Sequence, residues 1–306
     1  MIKKVFLIIF IFLIFSYFSL ALPYNFNREL FLNLRIPRFI GIIITGFSLS
    51  TAGMMIQLIT KNPLADPFII GTSGGAMLAI IICDIIGFKT YGFVYFFLIS
   101  LFSITATFLA YRISMFSSLS SNILLSGIAI NSFILSIIVF LIIFSRDASI
   151  NFFHLGFGSF SYLSYDTVMY SVLIFSFLFF LSFFMIKYLI PISFDEEKAQ
   201  TLGINVNRLK FILFILVSLI TSVSVSISGM IGFVGLMIPH ITRKLFKNEN
   251  FKFLFVINSF LGSIFLLVSD VISKSFFYPV EIPPGVITSI IGSIFFLILV
   301  IKRENL

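Results

Sequence analysis

Ten apolar runs follow one another along the chain, at 5–22, 39–59, 67–86, 91–111, 122–144, 167–190, 211–228, 230–245, 253–273 and 285–301. Most approach the roughly 20 apolar residues that a helix needs to cross the hydrocarbon core. They are too long and too continuous for barrel strands, which alternate over about 10 residues. The whole chain is 59% hydrophobic and 10% charged. No soluble fold of this size hides so much apolar surface from water. Disorder is excluded too, because it needs low hydrophobicity and high charge. The expectation is therefore an all-α integral membrane protein with about ten transmembrane helices. The run 230–245 is the weakest, being short and holding Pro239-His240.

The first run has a rival reading. Lys3, Lys4, an apolar stretch and Ser19-Leu20-Ala21 resemble a signal peptide with a small-residue cleavage site. A retained span is preferred, because 18 apolar residues can cross. With the N-terminus inside, ten spans place 14 of the 20 basic residues on inner segments and 6 on outer ones. This bias predicts both termini in the cytoplasm. It also accounts for the net charge of +8 without invoking nucleic acid. Three outer basic residues, Arg28, Arg35 and Arg38, crowd one short segment. Anchoring to lipid phosphates suits Arg28, whereas Arg35 and Arg38 suggest a docking patch for an acidic partner outside.

The membrane interior is short of chemistry. Ion-coupled transporters place Asp, Glu, Lys or His near the bilayer centre. No charged residue occupies the middle of any run, and His240 reads best as a packed residue beside a proline. With one cysteine, Cys83, and two histidines, His154 and His240, a zinc finger, an iron–sulfur site or a bis-histidine haem is not expected. There is no G-x-x-x-x-G-K-[ST] loop, and no serine lies in a nucleophile-elbow pattern. Energy for uphill movement would then come from another subunit.

Four segments are marked. Arg35-Ile-Pro-Arg38 is followed by Gln57, Asn62-Pro-Leu-Ala-Asp-Pro67 and Gly71-Thr-Ser-Gly-Gly-Ala76. The prolines force a break. Asn62 and Asp66 suit local turns and a helix cap. Gly71 and Gly75, four apart, allow close helix packing. The inner stretch 191–210 is polar: Asp195 to Glu197 suit the first turn of a short helix, Ala199, Leu202 and Ile204 give it a small apolar face, and Gly203 ends it. Such a helix is a natural lever for a soluble partner. The third segment runs Gly229-Met-Ile-Gly-Phe-Val-Gly-Leu-Met-Ile-Pro-His240. Gly232 and Gly235 there predict close packing, and Pro239 a break or bend. The fourth, Glu281-Ile-Pro-Pro-Gly285, marks an outer turn into the last span, which holds Thr288 and Gly292.

In this order the segments resemble the permease family of bacterial ABC importers for vitamin B12, ferric siderophores and related iron chelates. R-I-P-R, Q-x-x-x-x-N-P-L-A-D-P, G-x-S-x-G-A, A-x-x-L-G, G-x-I-G-F-V-G-L-x-I-P-H and E-I-P-x-G-V-x-T run from Arg35 to the last span. The resemblance implies one transmembrane permease domain over 1–306, with a cytoplasmic coupling segment at 191–210, in the bacterial inner membrane. It implies a second permease subunit, identical or homologous, and two cytoplasmic ATP-binding subunits. A substrate-binding protein, periplasmic or lipid-anchored, would deliver the ligand. This chain would carry no cofactor, ATP and Mg being bound by the partners, and would not be an enzyme. Arg35, Arg38 and Lys274 match the family's docking cations, with Lys274 standing where the family has arginine. Glu197, Ala199, Leu202 and Gly203 match the helix that rests on the ATPases, and Ser120 and Ser121 match the inner gate. The outer stretch 145–166 aligns poorly. A ferric siderophore or similar iron chelate is the first choice of substrate, with haem and vitamin B12 as alternatives. A stand-alone secondary transporter or channel is the rival class.

Overall fold

The computed structural model describes residues 2–22, 28–88, 92–115, 122–143, 155–161, 163–247, 249–276 and 280–303. Among these residues all regular structure is helical. In chain order the helices are α1 (Ile2–Ala21), α2 (Ile36–Ile59), α3 (Thr72–Ile86), α4 (Phe93–Ser114), α5 (Asn122–Ile143) and α6 (Tyr165–Phe194). Then come α7 (Glu196–Thr201), α8 (Val206–Ser228), α9 (Val234–Leu245), α10 (Phe251–Ser275) and α11 (Pro284–Arg303). A single turn, Arg28–Leu30, and a π turn, Phe31–Arg35, lead directly into α2. Each of the ten apolar runs holds one helix, and the polar stretch 191–210 holds the short α7.

Among the described residues, seven helices are long and apolar enough to cross a membrane. The apolar part of α11, Pro284–Leu299, is shorter. Two others are short for a structural reason: α3 has 15 residues and α9 has 12. At 1.5 Å per residue they reach about 22 Å and 18 Å, against a core of roughly 30 Å. Each is preceded by irregular backbone packed inside the protein. Before α3, Ala65, Asp66, Pro67 and Ile70 are buried. Before α9, Gly229 and Ile231 are buried. Non-helical backbone survives in a membrane protein only where other protein covers it and bonds its polar groups. Here Met230 N–H donates to Leu155 O at 2.7 Å, and Ser159 N–H donates to Ser228 O at 2.9 Å. Leu64 N–H bonds Asn62 Oδ1 at 2.9 Å and Phe68 N–H bonds Asp66 Oδ1 at 2.8 Å, closing two side-chain turns. Asn131 of α5 donates to Phe68 O.

Two expectations about this region need correction. The break in the third marked segment lies at 229–233, not at Pro239, which sits inside α9. Gly229, at φ +71°, turns the chain where an added Cβ would lie 2.1 Å from Leu155 O. Gly232 belongs to this non-helical stretch, and a Cβ there would meet nothing within 4 Å. It is therefore not a packing glycine. Asp66 closes its own turn, and Gly71, at φ +94°, is the N-cap of α3.

α2 is the central helix, packed by α10, α8, α9 and α6. Glycines set how close its neighbours come. A Cβ on Gly46 would lie 2.6 Å from Gly262 O of α10, and one on Gly53 would lie 2.0 Å from Gly235 O of α9. Gly75 meets Phe102 O of α4 at 2.4 Å by the same measure, and Gly71 faces Ala106 O of α4 at 3.4 Å. Close approach lets small polar side chains bond across helices, as membrane interfaces favour. Thr51 and Ser259 hydroxyls meet at 2.8 Å, and Ser100 and Ser222 at 2.9 Å. Asn258 Nδ2 donates to Ser50 O at 2.6 Å. α1 and α5 bury least of their length and present Phe, Leu and Ile outward.

Gly53→Ala should lower stability by about 1–3 kcal/mol, as overpacking does. Gly232→Ala should stay within about 0.5 kcal/mol, like an ordinary surface change. Thermal unfolding of the two purified variants in detergent checks the pair.

Candidate docking cleft and coupling segment

Arg35 and Arg38, three apart, share one face where the π turn passes into α2. The π turn fits the sequence locally. Ile36 N–H bonds Phe31 O, and Pro37, which has no N–H to give, sits in the first turn of α2. Lys274 lies in the last turn of α10, four residues after Asp270. These elements meet at an open cleft of about 560 Å³, whose polar lining is Arg35, Arg38, Lys274, Glu281, Ser159 and Ser161. The three cations named from the sequence are thus brought to one place.

They are not idle there. Asp270 is fully buried, and Arg38 bonds its Oδ1 through Nε at 3.0 Å and Nη2 at 2.8 Å. Lys274 Nζ lies 2.7 Å from Asp270 Oδ2. The remaining Nη1 of Arg38 meets Glu281 Oε2 at 2.8 Å. Arg38 is 9% exposed and Lys274 8%. The end of α1 closes the cluster: Ser19 Oγ donates to Asp270 Oδ2 at 3.4 Å and Lys274 Nζ donates to Ser19 O at 3.4 Å. Arg35 Nη1 donates to Leu20 O at 2.9 Å and Ala21 O at 3.2 Å. Cations bonding the last carbonyls of a helix satisfy groups that have no partner within it. The sequence reading missed Asp270 and Glu281 as members. The four-residue spacing of Asp270 and Lys274 was the available signal.

At the opposite end of α2, Pro239 lacks the N–H that would bond Gly235 O. Gln57 Nε2 takes that place, donating to Gly235 O at 3.2 Å and Leu236 O at 3.1 Å. Gln57 Oε1 accepts from Arg243 Nη2. A side-chain amide from α2 thus bonds the carbonyls that the proline leaves open, and α9 continues past Pro239 without a break.

The candidate coupling segment lies beyond the same end. Asp195 Oδ1 caps α7, accepting from Glu197 N–H at 3.0 Å and Lys198 N–H at 3.4 Å. Gly203, at φ +81°, ends it, and Ile204 N–H returns to Ala199 O at 3.1 Å. Ala199 is fully buried against Ile192 and Val206 of its own chain, so it faces inward. Glu197 and Leu202 face outward, Leu202 being 71% exposed. Glu196, expected from the sequence only as part of the first turn, fastens α7. It meets Lys210 Nζ at 2.7 Å and Lys61 Nζ at 3.2 Å. Partial burial would raise the Glu196 carboxyl, but Lys210 and then Lys61 outweigh it and hold the carboxyl below its usual value. A carboxylate with a lowered folded value stabilises the pairing at neutral pH, and that contribution fades as pH falls through the lowered value. Ser120, Ser121, His154, Lys89 and Arg146 lie outside the described residues.

Residues 4–302 match the FecCD transport family. The chain belongs to that family. A Helicobacter pylori (strain ATCC 700392 / 26695) protein named "Probable iron chelatin transport system permease protein" is 34% identical over 278 residues, covering 90% of this chain and 83% of its own length. An ABC transporter permease protein of Bacillus subtilis (strain 168) is 32% identical over 284 residues, covering 90% and 80%. A solved inward-facing conformation of a metal-chelate type ABC transporter superposes with a TM-score of 0.86 at 26% identity, covering 99% of this chain and 100% of that one. The chain is thus a multi-pass permease of the iron-chelate class of ABC importers, a transport component and not an enzyme.

Asp270→Asn should destabilise the protein by about 3–5 kcal/mol, because it strands buried Arg38 and Lys274 without their shared counter-charge. A thermal unfolding midpoint unchanged from the parent protein would refute that role.

Proposed function

We propose that this permease imports an iron chelate, of the ferric siderophore type, handed to it by an external substrate-binding protein. The observation that carries the reading is the cleft, where Arg35, Arg38 and Lys274 converge beside two serines. An acidic loop of the binding protein suits that charge. The likeness to an iron chelatin permease and to a metal-chelate transporter supports the substrate class. Haem and vitamin B12 are the alternatives within it.

Two such permeases, identical or homologous, enclose the path, and two cytoplasmic ATPase subunits bind ATP and Mg. α7 meets them with Glu197 and Leu202, while Ala199 and Gly203 set its seat and its end. Its anchorage through Glu196 to Lys61 and Lys210 supports a role in passing force to α2 and α8. The basic bias puts both termini in the cytoplasm. The 306 residues form one transmembrane domain, and the region of Ser120 and Ser121 forms the inner gate.

Reconstitution tests the reading. Proteoliposomes holding the complete transporter should take up iron-55 chelate only with both ATP and the binding protein. Arg38→Lys keeps the charge but loses the two-edged fork. Combined with Arg35→Gln, it should cut uptake at least tenfold while the protein still folds. Uptake by this chain alone, without ATP, would overturn the importer in favour of a secondary transporter.

A further inference from the structure

Arg38 offers a guanidinium with two different edges. The Nε/Nη2 edge is closed by Asp270, which is fully buried and shared with Lys274. The Nη1 edge faces the cleft and is closed by Glu281, whose side chain is 42% exposed. The first contact is built into the packing of α2 and α10. The second is held by a residue at the start of the short stretch before α11, in reach of water. Exposed ion pairs are weak, and their members exchange partners readily. The charges fit this division. Asp270 and Glu281 together balance Arg38 and Lys274. A carboxylate entering from outside therefore meets a site whose best donor edge is taken by a carboxylate of the same chain.

We infer that Glu281 is an exchangeable occupant of the docking cleft, which an acidic side chain of the external partner must displace from Arg38 Nη1. This rests on the docking reading above. Displacement would free the stretch that leads into α11. Ile282 O accepts from Ser273, and Gly285 sits where a Cβ would lie 2.0 Å from Phe157 O and 3.4 Å from Met230 O. The segment Glu281 holds thus abuts both the outer segment 155–161 and the break before α9. Docking would loosen the wall of the cleft at the point where three elements meet. Glu281 also sets selectivity. A partner with no acidic group at this point leaves the internal pair intact and gains nothing from Arg38.

An internal occupant lowers the apparent affinity of a competitor by the fraction of time that the site is free. For a partly exposed pair this is about fivefold. The test uses the complete transporter in proteoliposomes and the chelate-loaded binding protein that supports uptake there. The concentration of binding protein giving half-maximal ATPase stimulation is the readout. Glu281→Gln should lower it about fivefold, and Glu281→Asp, shorter but still charged, should fall between the two. Arg38→Lys should raise it. An unchanged value in Glu281→Gln, with Arg38→Lys still weakened, overturns the exchange and leaves docking intact. A raised value in Glu281→Gln makes the residue a support of the cleft and also overturns it. No response in either variant removes the docking reading, and the proposal with it.

Discussion

Inside a bilayer a backbone carbonyl or amide has no water to turn to, so any departure from helix must be met by other protein. This chain departs twice, before α3 and before α9, and both departures lie against α2 and its neighbours. The solution is made of particular side chains. Gln57 bonds the carbonyls around Pro239, Asn131 bonds Phe68 O, and the segment 155–161 exchanges backbone bonds with 228–230. Glycines make the contacts short enough to work. Gly53 and Gly235 bring α9 against α2, and Gly46 and Gly262 bring α10 against it two turns away on the same face.

Asp270 is the electrostatic counterpart of these contacts. A carboxylate with no exposure is costly unless it is paired and hydrogen-bonded. Here α2, α10 and α1 each supply a partner for it. Such a cluster adds little net stability, since desolvation offsets the attraction. Its effect is on arrangement: these ends of three helices must meet so that each charge is matched. That places Arg38 and Lys274 at the cleft and fixes which edge of Arg38 faces outward.

The number and order of helices were legible because apolar runs of this length have one use. So were the ends of α7, where Asp195 and Gly203 carry their capping chemistry locally. Contacts that depend on distant partners were not. Nothing near Glu196 in the sequence points to Lys61, and nothing near Gly53 points to Gly235. Pro239 misled for the same reason: a proline breaks a helix unless a donor arrives from elsewhere, and Gln57 is 182 positions away. Gly232 resembled a packing glycine by spacing alone, but spacing has that meaning only inside a helix. Arg38 and Lys274 do come together at one end of the bundle, but their internal acids, Asp270 and Glu281, were not legible because a cation's partners cannot be ranked without its neighbours.

α1 is fastened at both ends while its flank lies bare. Its last carbonyls take Arg35 and Lys274, and near its start Lys4 Nζ reaches Leu245 O at 2.8 Å. Ribosomes make α1 well before residues 245, 270 and 274. Until those residues are made, this helix has only the nearby Arg35 of the groups that will hold it. Its mostly apolar sequence makes the wait tolerable, since lipid is an adequate solvent for Phe, Leu and Ile. Spans that emerge later then close the fold by clasping one that entered before them.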